Sequence, residues 1–304
     1  MILGLSHISF SCSDIVAATS RLEEFGYLQR FDAPSMKNHS AKAYFLSRYQ
    51  PQHHIRAFAA EGAMAIELLD HGGLAGQQAS TLVPVFRSDG PCKSWQPQRL
   101  ESLPISATGL ATLRGALGHE PLAFTDPELS MTLLWVPANG EAHGLYACAV
   151  PTDMPGALAT LLGELRFRSD ASGLWSLLTP LTALQARLIP VFAKPAEGWT
   201  TETLLDAPGC GCLALMARIK DRSQLPRAFF DTSISFNLIV NRKMSHITIA
   251  RAGYGPIIEL VEQWNSPNDH RPHHDYSRGD DDFPRPLAPC SRDHSTGPIP
   301  CRRP

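Results

Sequence analysis

The hydrophobic pattern of the chain opens with a strand that carries one histidine. Apolar and polar residues alternate over residues 5–12, and a period of two is typical of a β-strand with one buried face. Strict alternation places Leu5, His7 and Ser9 on one face and Ile8 on the other. A polar side chain that can bind a metal is therefore expected in the middle of an otherwise buried strand.

A helix and three more strands are predicted to follow this first strand. Asp14 is a suitable N-cap, apolar residues recur at helical spacing as far as Phe25, and Gly26 ends the helix. The next strands are predicted at about 28–32, 41–47 and 64–69. Glu67 lies in the middle of the last of them, so this strand also carries one polar side chain.

The same order of strand, helix and three strands, here called a module, recurs along the chain. A third module begins at 145–150 and a fourth at 212–217, and a degenerate second module begins at 82–86. The last strand of the fourth module has Glu259 in a context that repeats the one around Glu67. The sequence predicts an α+β fold of four βαβββ modules.

The modules and the end of the chain define the expected domains. Residues 1–140 hold an N-terminal pair of modules, of which the second is degenerate, and residues 141–264 hold a C-terminal pair. Residues 265–304 lack apolar periodicity and are rich in proline, so we expect a disordered tail.

The composition argues against several classes of function. A net charge of -2 over 304 residues provides no basic surface for nucleic acid or for an anionic membrane. The sequence has no apolar run near the ~20 residues needed to cross a bilayer, and the N-terminus lacks the features of a signal peptide. The seven cysteines are odd in number and scattered, which argues against a disulfide framework. A cytoplasmic protein is expected.

The two strand glutamates are the strongest candidates for a functional role. A buried carboxylate on a strand is costly unless it is paired or bound to a cation. Glu67 and Glu259 are therefore candidates for a metal site, although each has the alternative of pairing with an arginine, such as Arg56 or Arg251, or of facing solvent. His7 has its own alternative, because a single histidine in a strand is more often a satisfied core residue.

Two other groups of histidines are assigned to the surface. His53 and His54 lie in a stretch that resembles a loop, and adjacent residues of a strand face opposite ways, so solvent exposure is expected. His71 follows the Glu67 strand and is expected to point away from it.

The His7 strand, the capped helix and the Glu67 strand, repeated along the chain, resemble the vicinal oxygen chelate superfamily. Its members include glyoxalase I, extradiol dioxygenases, fosfomycin-resistance proteins, methylmalonyl-CoA epimerase and bleomycin-binding proteins. The resemblance is best over 1–71 and 210–263. It implies that modules pair into two incomplete barrels, each around a cleft, with metal ligands in the middle of first and last strands.

The resemblance implies a ligand set when it is carried over residue by residue. His7 matches a first-strand ligand, and Glu67 and Glu259 match last-strand ligands. The first-strand counterparts in the other modules are Leu82, Tyr146 and Ala214, and the last-strand counterparts lie near Leu134 and Ile189. His246, on a neighbouring strand of the fourth module, is a candidate fourth ligand or acid–base group.

The pairing of the modules decides whether these ligands meet. If module 1 pairs with module 2, and module 3 with module 4, His7 and Glu67 form an incomplete site and Glu259 stands alone. If modules 1 and 4 share a barrel, all three side chains converge. The sequence leaves both arrangements open.

The resemblance also implies a reaction type. A divalent ion (Fe²⁺, Mn²⁺, Ni²⁺ or Zn²⁺) held by His7, Glu67 and Glu259 would bind a small molecule through vicinal oxygens, with Glu67 or Glu259 moving a proton. Lyase or isomerase chemistry is favoured slightly over ring-cleaving dioxygenation, since such dioxygenases typically use two histidines and one glutamate. The alternative is a non-catalytic protein of the same fold that sequesters a drug or metabolite. A monomer is expected, with a dimer as the alternative.

Overall fold

The structure, a computed structural model, describes residues 2–74, 78–79, 82–179, 185–194, 199–200, 204–218, 226–240, 243–253 and 255–263. The predicted disordered tail at 265–304 lies outside the described residues. Within them, no helix is long and apolar enough to cross a membrane.

The four modules follow one another along the chain. Module 1 consists of β1 (Ile2–Ser11), α1 (Ile15–Glu24), β2 (Leu28–Lys37), a 3-10 helix (Ser40–Phe45), β3 (Gln52–Ala59) and β4 (Ile66–Asp70). The short β5 (Gln78–Ala79) precedes module 2, which consists of β6 (Val83–Ser88), β7 (Gln96–Gln98), a 3-10 helix (Leu100–Ser102), α2 (Ala107–Leu117), β8 (Leu122–Asp126) and β9 (Met131–Pro137).

The second half of the chain continues in the same way. Module 3 consists of β10 (Gly144–Thr152), α3 (Pro155–Glu164), β11 (Arg168–Ser169), β12 (Trp175–Leu177) and β13 (Ala186–Phe192). The short β14 (Trp199–Thr200) precedes module 4, which consists of β15 (Gly209–Arg218), a 3-10 helix (Arg227–Phe229), β16 (Thr232–Val240), β17 (Lys243–Arg251) and β18 (Ile257–Gln263). A helix is predicted in this module at about 221–229, and its first part, 221–225, lies outside the described residues.

The strands form two eight-stranded sheets and one two-stranded sheet. The first sheet has the order β16-β17-β18-β15-β1-β4-β3-β2, the second has the order β11-β12-β13-β10-β6-β9-β8-β7, and β14 pairs with β5. The first sheet therefore joins modules 1 and 4 through antiparallel β1 and β15, and the second joins modules 2 and 3 through β10 and β6. The predicted α+β fold class is confirmed, and the first sheet curves into a half-barrel.

This topology selects one of the two pairings that the sequence leaves open. Modules 1 and 4 share a sheet, so each sheet takes one module from 1–140 and one from 141–264. Whether those two halves act as domains stays a prediction.

One strand of module 1 is misplaced in the sequence analysis. The stretch predicted as a strand at 41–47 is mostly a 3-10 helix. His39 caps the N-terminus of this helix, because its side chain accepts a hydrogen bond from the Ala41 amide at 3.2 Å. The strand lies further on, at Gln52–Ala59. Buried Phe45 gives the segment the apolar character that resembles a strand.

The helices α1 and α3 pack in the core that joins the two sheets. Asp14 caps α1 as predicted, accepting hydrogen bonds from two amides of the first turn at 3.0 Å each. The apolar side chains of both helices belong to the same buried cluster as Ile8 and Phe10 of β1 and Cys148 of β10. The opposite face of the first sheet is therefore left without α1 or α3.

Module 2 departs from the regular order because its edge strand β7 precedes its helix. α2 consequently packs on the other face of the second sheet, in a cluster with Val83, Leu134 and Ile189. The approach is close: the position of a Cβ on Gly109 would lie 2.6 Å from the Phe192 carbonyl oxygen. The face of the second sheet that corresponds to a cleft is thus filled by a helix.

A buried ion pair links module 1 to module 2. Arg21 of α1 is 2% exposed, Asp126 of β8 is 0% exposed, and Arg21 Nε lies 2.9 Å from Asp126 Oδ2. Asp126 also accepts hydrogen bonds from Trp95 Nε1 at 2.6 Å and from the amides of Glu128 and Leu129 at 2.9 and 3.0 Å. The carboxylate is fully satisfied in a dry environment.

Candidate functional site

A β-bulge in the first strand turns His7 towards the open face of the first sheet. Leu5 pairs with Leu215 and His7 with Ala214, so two residues of β1 oppose one step of β15, with Ser6 as the extra residue. Leu5 belongs to the core between the sheets. Strict alternation predicted Leu5 and His7 on one face, and the bulge makes that prediction wrong.

The register of the central strands brings the predicted ligands to one face. In β1, Ser9 pairs with Glu67 of β4. Across the joint between the modules, His7 pairs with Ala214, which in turn pairs with Glu259 of β18. Directly paired residues share a face of the sheet. His7, Glu67 and Glu259 therefore face the same side, although Glu259 lies at the far end of the described chain.

His7 and Glu67 are in direct contact. His7 Nε2 lies 3.3 Å from Glu67 Oε1, and Ser9 Oγ donates a hydrogen bond to the same carboxylate oxygen at 3.2 Å. His7 Nδ1 lies 3.1 Å from Ser6 Oγ, so the bulge residue also orients the imidazole. His7 Nε2 is buried, and apart from this contact with Glu67 it has no hydrogen-bond partner among the described residues. The nitrogen and the carboxylate oxygen thus face each other as a pair of potential ligands.

Burial and neighbouring charges act in opposite directions on the three groups. Burial lowers the pKa of His7, but Glu67 and Glu259 outweigh it, and the pKa is raised. Burial raises the pKa of Glu67, but contact with His7 reverses the shift and lowers that pKa to about 2. The pKa of Glu259 is raised, because burial outweighs its attraction to His7. The negative charge of Glu67 is therefore well balanced by His7, whereas the negative charge of Glu259 is only poorly balanced by its surroundings.

Arg56 does not neutralise Glu67. Its Nε donates to Asp32 Oδ2 at 3.2 Å and its Nη1 donates to Thr19 Oγ1 at 2.9 Å. Ala57, the next residue of β3, is the one that pairs with Glu67. Arg56 therefore points to the opposite face, and the arginine pairing considered for Glu67 is wrong.

The chemical types of His7, Glu67 and Glu259 suit a divalent cation, but the three side chains do not converge closely enough to bind one. One imidazole nitrogen and two half-buried carboxylates are typical ligands for Fe, Mn, Ni or Zn. No group of three His, Cys, Asp or Glu side chains in the described part of the chain is close enough to hold an ion as it stands. His7 and Glu67 are already adjacent, so Glu259 is the side chain that would have to move.

The cleft above these residues is lined by both modules. Its lining residues are Met36, Lys37, His39, Lys42, His53, Ile55, Glu67, Phe236, Ile247 and Glu259. Module 1 supplies the basic side chains, and module 4 supplies Phe236, Ile247 and Glu259. The cleft is therefore incomplete without residues from both ends of the chain.

His53 and His71 are buried, contrary to the sequence analysis. They are 4% and 3% exposed, and their ring centroids lie 5.1 Å apart. His53 lines the cleft, whereas its neighbour His54 points the other way and contacts Asp32 at 2.6 Å. The misplaced strand explains the error, since His53 is the second residue of β3 rather than part of a loop.

The buried histidines should make stability depend on pH. Burial lowers the pKa of His53 to about 3 and that of His71 to about 4, against an ordinary value of 6.5. Between pH 6.5 and about 4 the unfolded chain therefore binds more protons, so the free energy of unfolding should fall as the pH falls. Each ring contributes a slope of up to about 1.4 kcal/mol per pH unit.

Denaturant unfolding at several pH values tests this expectation. His71→Leu should flatten the slope between pH 6.5 and 4, whereas His119→Gln, at an exposed position, should leave it unchanged. An equal slope in the wild type and in His71→Leu would contradict a neutral, buried His71.

His246 is directed away from the cleft. It pairs with Glu262 of β18, and its Nδ1 lies 3.0 Å from Asn237 Oδ1. The Ile249–Glu259 pair, an odd number of positions away along the two strands, faces the cleft, so His246 faces the opposite side of the sheet. The assignment of His246 as a fourth ligand or acid–base group is wrong.

Cys212 occupies the position that sequence reasoning gave to Ala214. Ser9 pairs with Glu67 and Ala214 with Glu259, so Ala214 is the counterpart of Ser9. Cys212, two residues earlier in β15, is then the counterpart of His7, and it pairs with Ser9 on the cleft face. The thiol is buried, and burial together with Glu259 and Glu67 raises its pKa. A bulge in β10, equivalent to the one in β1, shifts the module 3 counterpart of His7 from Tyr146 to Ala147.

Comparisons with known proteins show similarity at the level of the fold. No protein-family model and no curated protein matches the chain. The crystal structure of glyoxalase I from Zea mays is similar with a TM-score of 0.53 and 10% identity over 85% of this chain and 92% of that chain. A mutant of that enzyme gives a TM-score of 0.52, with 10% identity over 85% and 92% of the two chains.

A structure of a different kind is also similar. A putative dioxygenase from Bacillus subtilis has a TM-score of 0.48 and 12% identity over 86% of this chain and 85% of that chain. The two glyoxalase I structures confirm the resemblance to the vicinal oxygen chelate superfamily as a likeness of fold.

Proposed function

We propose that the cleft of the first sheet binds a divalent metal ion and that the protein is an enzyme of the glyoxalase or dioxygenase type. Its substrate would be a small molecule with vicinal oxygens. The observation that carries the proposal is the shared face of His7, Glu67 and Glu259, which come from opposite ends of the described chain. The filled counterpart face of the second sheet supports a single site.

The three side chains have distinct roles in this proposal. His7 Nε2 and the carboxylates of Glu67 and Glu259 hold Fe²⁺, Mn²⁺, Ni²⁺ or Zn²⁺, which supplies Lewis-acid polarisation of a substrate oxygen. Glu259 is the better candidate to move a proton, because it lacks the contacts with Ser9 and His7 that hold Glu67 in place. Glu67, held by Ser9 and His7, is the better-fixed ligand.

Lyase or isomerase chemistry remains favoured over ring cleavage. His53 lies in the cleft, but it comes from the strand next to β4 rather than from a first or last strand. The ligand set thus retains one histidine and two glutamates. We expect a monomer, because one chain supplies both modules of the cleft.

The alternative is a protein that sequesters a small molecule without catalysis. Two observations favour it. No three potential metal ligands among the described residues lie close enough together to hold an ion, and Ile55, Phe236 and Ile247 give the cleft an apolar wall. The two functions differ in whether the ligand needs the ion.

Calorimetric titration with catechol, a simple molecule with vicinal oxygens, tests the proposal. We expect catechol to bind the Zn²⁺-loaded protein and not the metal-free protein, and His7→Ala to remove the Zn²⁺-dependent binding. His54→Ala, which alters a histidine directed away from the cleft, should bind as the wild type does. Equal binding with and without metal would instead support the sequestering protein.

A further inference from the structure

The rim of the cleft carries hydrogen-bond donors without acceptors. Lys37 and Lys42 both line the cleft, and neither has an ion-pair partner among the residues that the structure describes. Lys42 Nζ lies 5.8 Å from the centre of the Phe236 ring, beside the cleft rather than out in solvent. Neither ammonium group is therefore held in a direct ion pair within the described part of the chain, although the charge of Lys42 acts on Glu67 and Glu259 from a distance.

His39 adds a third donor to this rim. Its Nδ1 accepts a hydrogen bond from the Ala41 amide at 3.2 Å, so the proton of the neutral ring lies on Nε2. The ring stacks on Phe236 with centroids 4.5 Å apart and an interplanar angle of 12°, which fixes its orientation. Burial lowers the pKa of His39, and the positive charges of Lys42 and Lys37 lower it further, so the ring is neutral at pH 7.

The floor and the rim of the cleft therefore differ in charge. Glu67 and Glu259 lie at the floor, and a divalent ion there would neutralise both carboxylates. The two lysines would then leave the rim with a net positive charge and with donors only. Such a surface is complementary to an anionic oxygen group.

We propose that the cleft selects small molecules that carry a carboxylate in addition to vicinal oxygens, and that Lys42, Lys37 and His39 bind this carboxylate. The part of this inference that concerns vicinal oxygens rests on the proposed function. The carboxylate subsite is independent of it, because Lys42, Lys37 and His39 do not hold the ion. The cleft is small, with a cavity volume of about 50 Å³ that lies well below the range for drug-sized ligands, so the test uses single-ring acids rather than larger ones.

A matched pair of probes tests the selectivity in the Zn²⁺-loaded protein. 3,4-Dihydroxybenzoate differs from catechol by one carboxylate, and we expect it to bind about 10-fold more tightly or better, as expected for a charge-assisted contact worth about 1.4 kcal/mol or more. Lys42→Gln should remove this preference, measured as the ratio of the two affinities in the variant against that ratio in the wild type. Lys93→Gln, at an exposed position away from the cleft lining, should keep the preference.

The metal-free protein separates failure of this inference from failure of the proposed function. There, we expect benzoate to bind weakly and phenol not to bind, and Lys42→Gln to abolish benzoate binding, as followed by ligand-observed NMR. Benzoate binding without any Zn²⁺-dependent binding of catechol would uphold the carboxylate subsite and overturn the metal site. Equal affinities for catechol and 3,4-dihydroxybenzoate, with no effect of Lys42→Gln on either ligand or on benzoate, would overturn the carboxylate subsite alone.

Discussion

Replacing Glu259 by alanine is expected to weaken Zn²⁺ binding as severely as replacing His7 or Glu67, although Glu259 belongs to a different module. Each change removes a direct ligand, so the loss of affinity should exceed the roughly 10- to 100-fold that typically follows loss of an outer-sphere partner. The measurement is competition for Zn²⁺ between each variant and a chromophoric chelator.

The matched controls for this series are His54→Ala and Glu120→Ala. His54 contacts Asp32 on the opposite face of β3, and Glu120 forms an exposed ion pair with Arg114 at 2.6 Å. Both controls should retain wild-type Zn²⁺ affinity. Loss of affinity in His7→Ala and Glu67→Ala but not in Glu259→Ala would place the site in module 1 alone and contradict a site shared with module 4.

The second large effect is a loss of stability, and it is expected far from the cleft, at the buried ion pair between α1 and β8. Asp126→Ala should lower the free energy of unfolding by about 3–5 kcal/mol, because it leaves the Arg21 guanidinium buried without its fully enclosed partner. The same change removes the acceptor for Trp95 Nε1. Urea unfolding of the wild type and the variant measures the difference.

An exposed ion pair provides the comparison for this prediction. Glu120→Ala breaks the pair with Arg114 at the surface, and exposed pairs of this kind contribute little to stability because water screens them. A cost for Asp126→Ala as small as that of Glu120→Ala would show that Glu24 and Glu128, which also contact Arg21, suffice to hold the guanidinium.

The modular fold could be predicted from the sequence because each module is defined by local patterns. Alternation, helix caps and helical spacing depend on neighbouring residues, and they located the first and last strands of modules 1 and 4. The pairing of modules could not be predicted in this way. It depends on the contact of β1 with β15, whose paired residues, such as His7 and Ala214, lie some 200 positions apart.

The errors within the site have one physical origin, which is a shift in register. One extra residue at Ser6 moves Leu5 to the other face. Counting strand positions without bulges selected Ala214 as the counterpart of His7, whereas the pairing across β1 and β15 selects Cys212. No local pattern in the sequence marks an added residue in a strand.

The buried histidines were missed for a different reason. A 3-10 helix with a buried aromatic residue, Phe45, resembles a strand in its apolar pattern. Its misassignment left His53 in a loop. His71 follows the last residue of β4 as predicted, but it is buried rather than directed away. By contrast, the sequence predicts His7, Glu67 and Glu259 on one face if modules 1 and 4 share a sheet. The alternation of side chains along β4 and β18 is enough to fix the orientation of Glu67 and Glu259.

An anomalous difference map from a crystal of the Co²⁺-loaded protein, collected at the cobalt absorption edge, would locate the metal site. We expect one strong peak in the cleft of the first sheet, within bonding distance of His7 Nε2 and of carboxylate oxygens of both Glu67 and Glu259. A peak bound only by the His53 and His71 rings, or a cleft without a peak in a protein that retains cobalt elsewhere, would contradict a metal site built by modules 1 and 4.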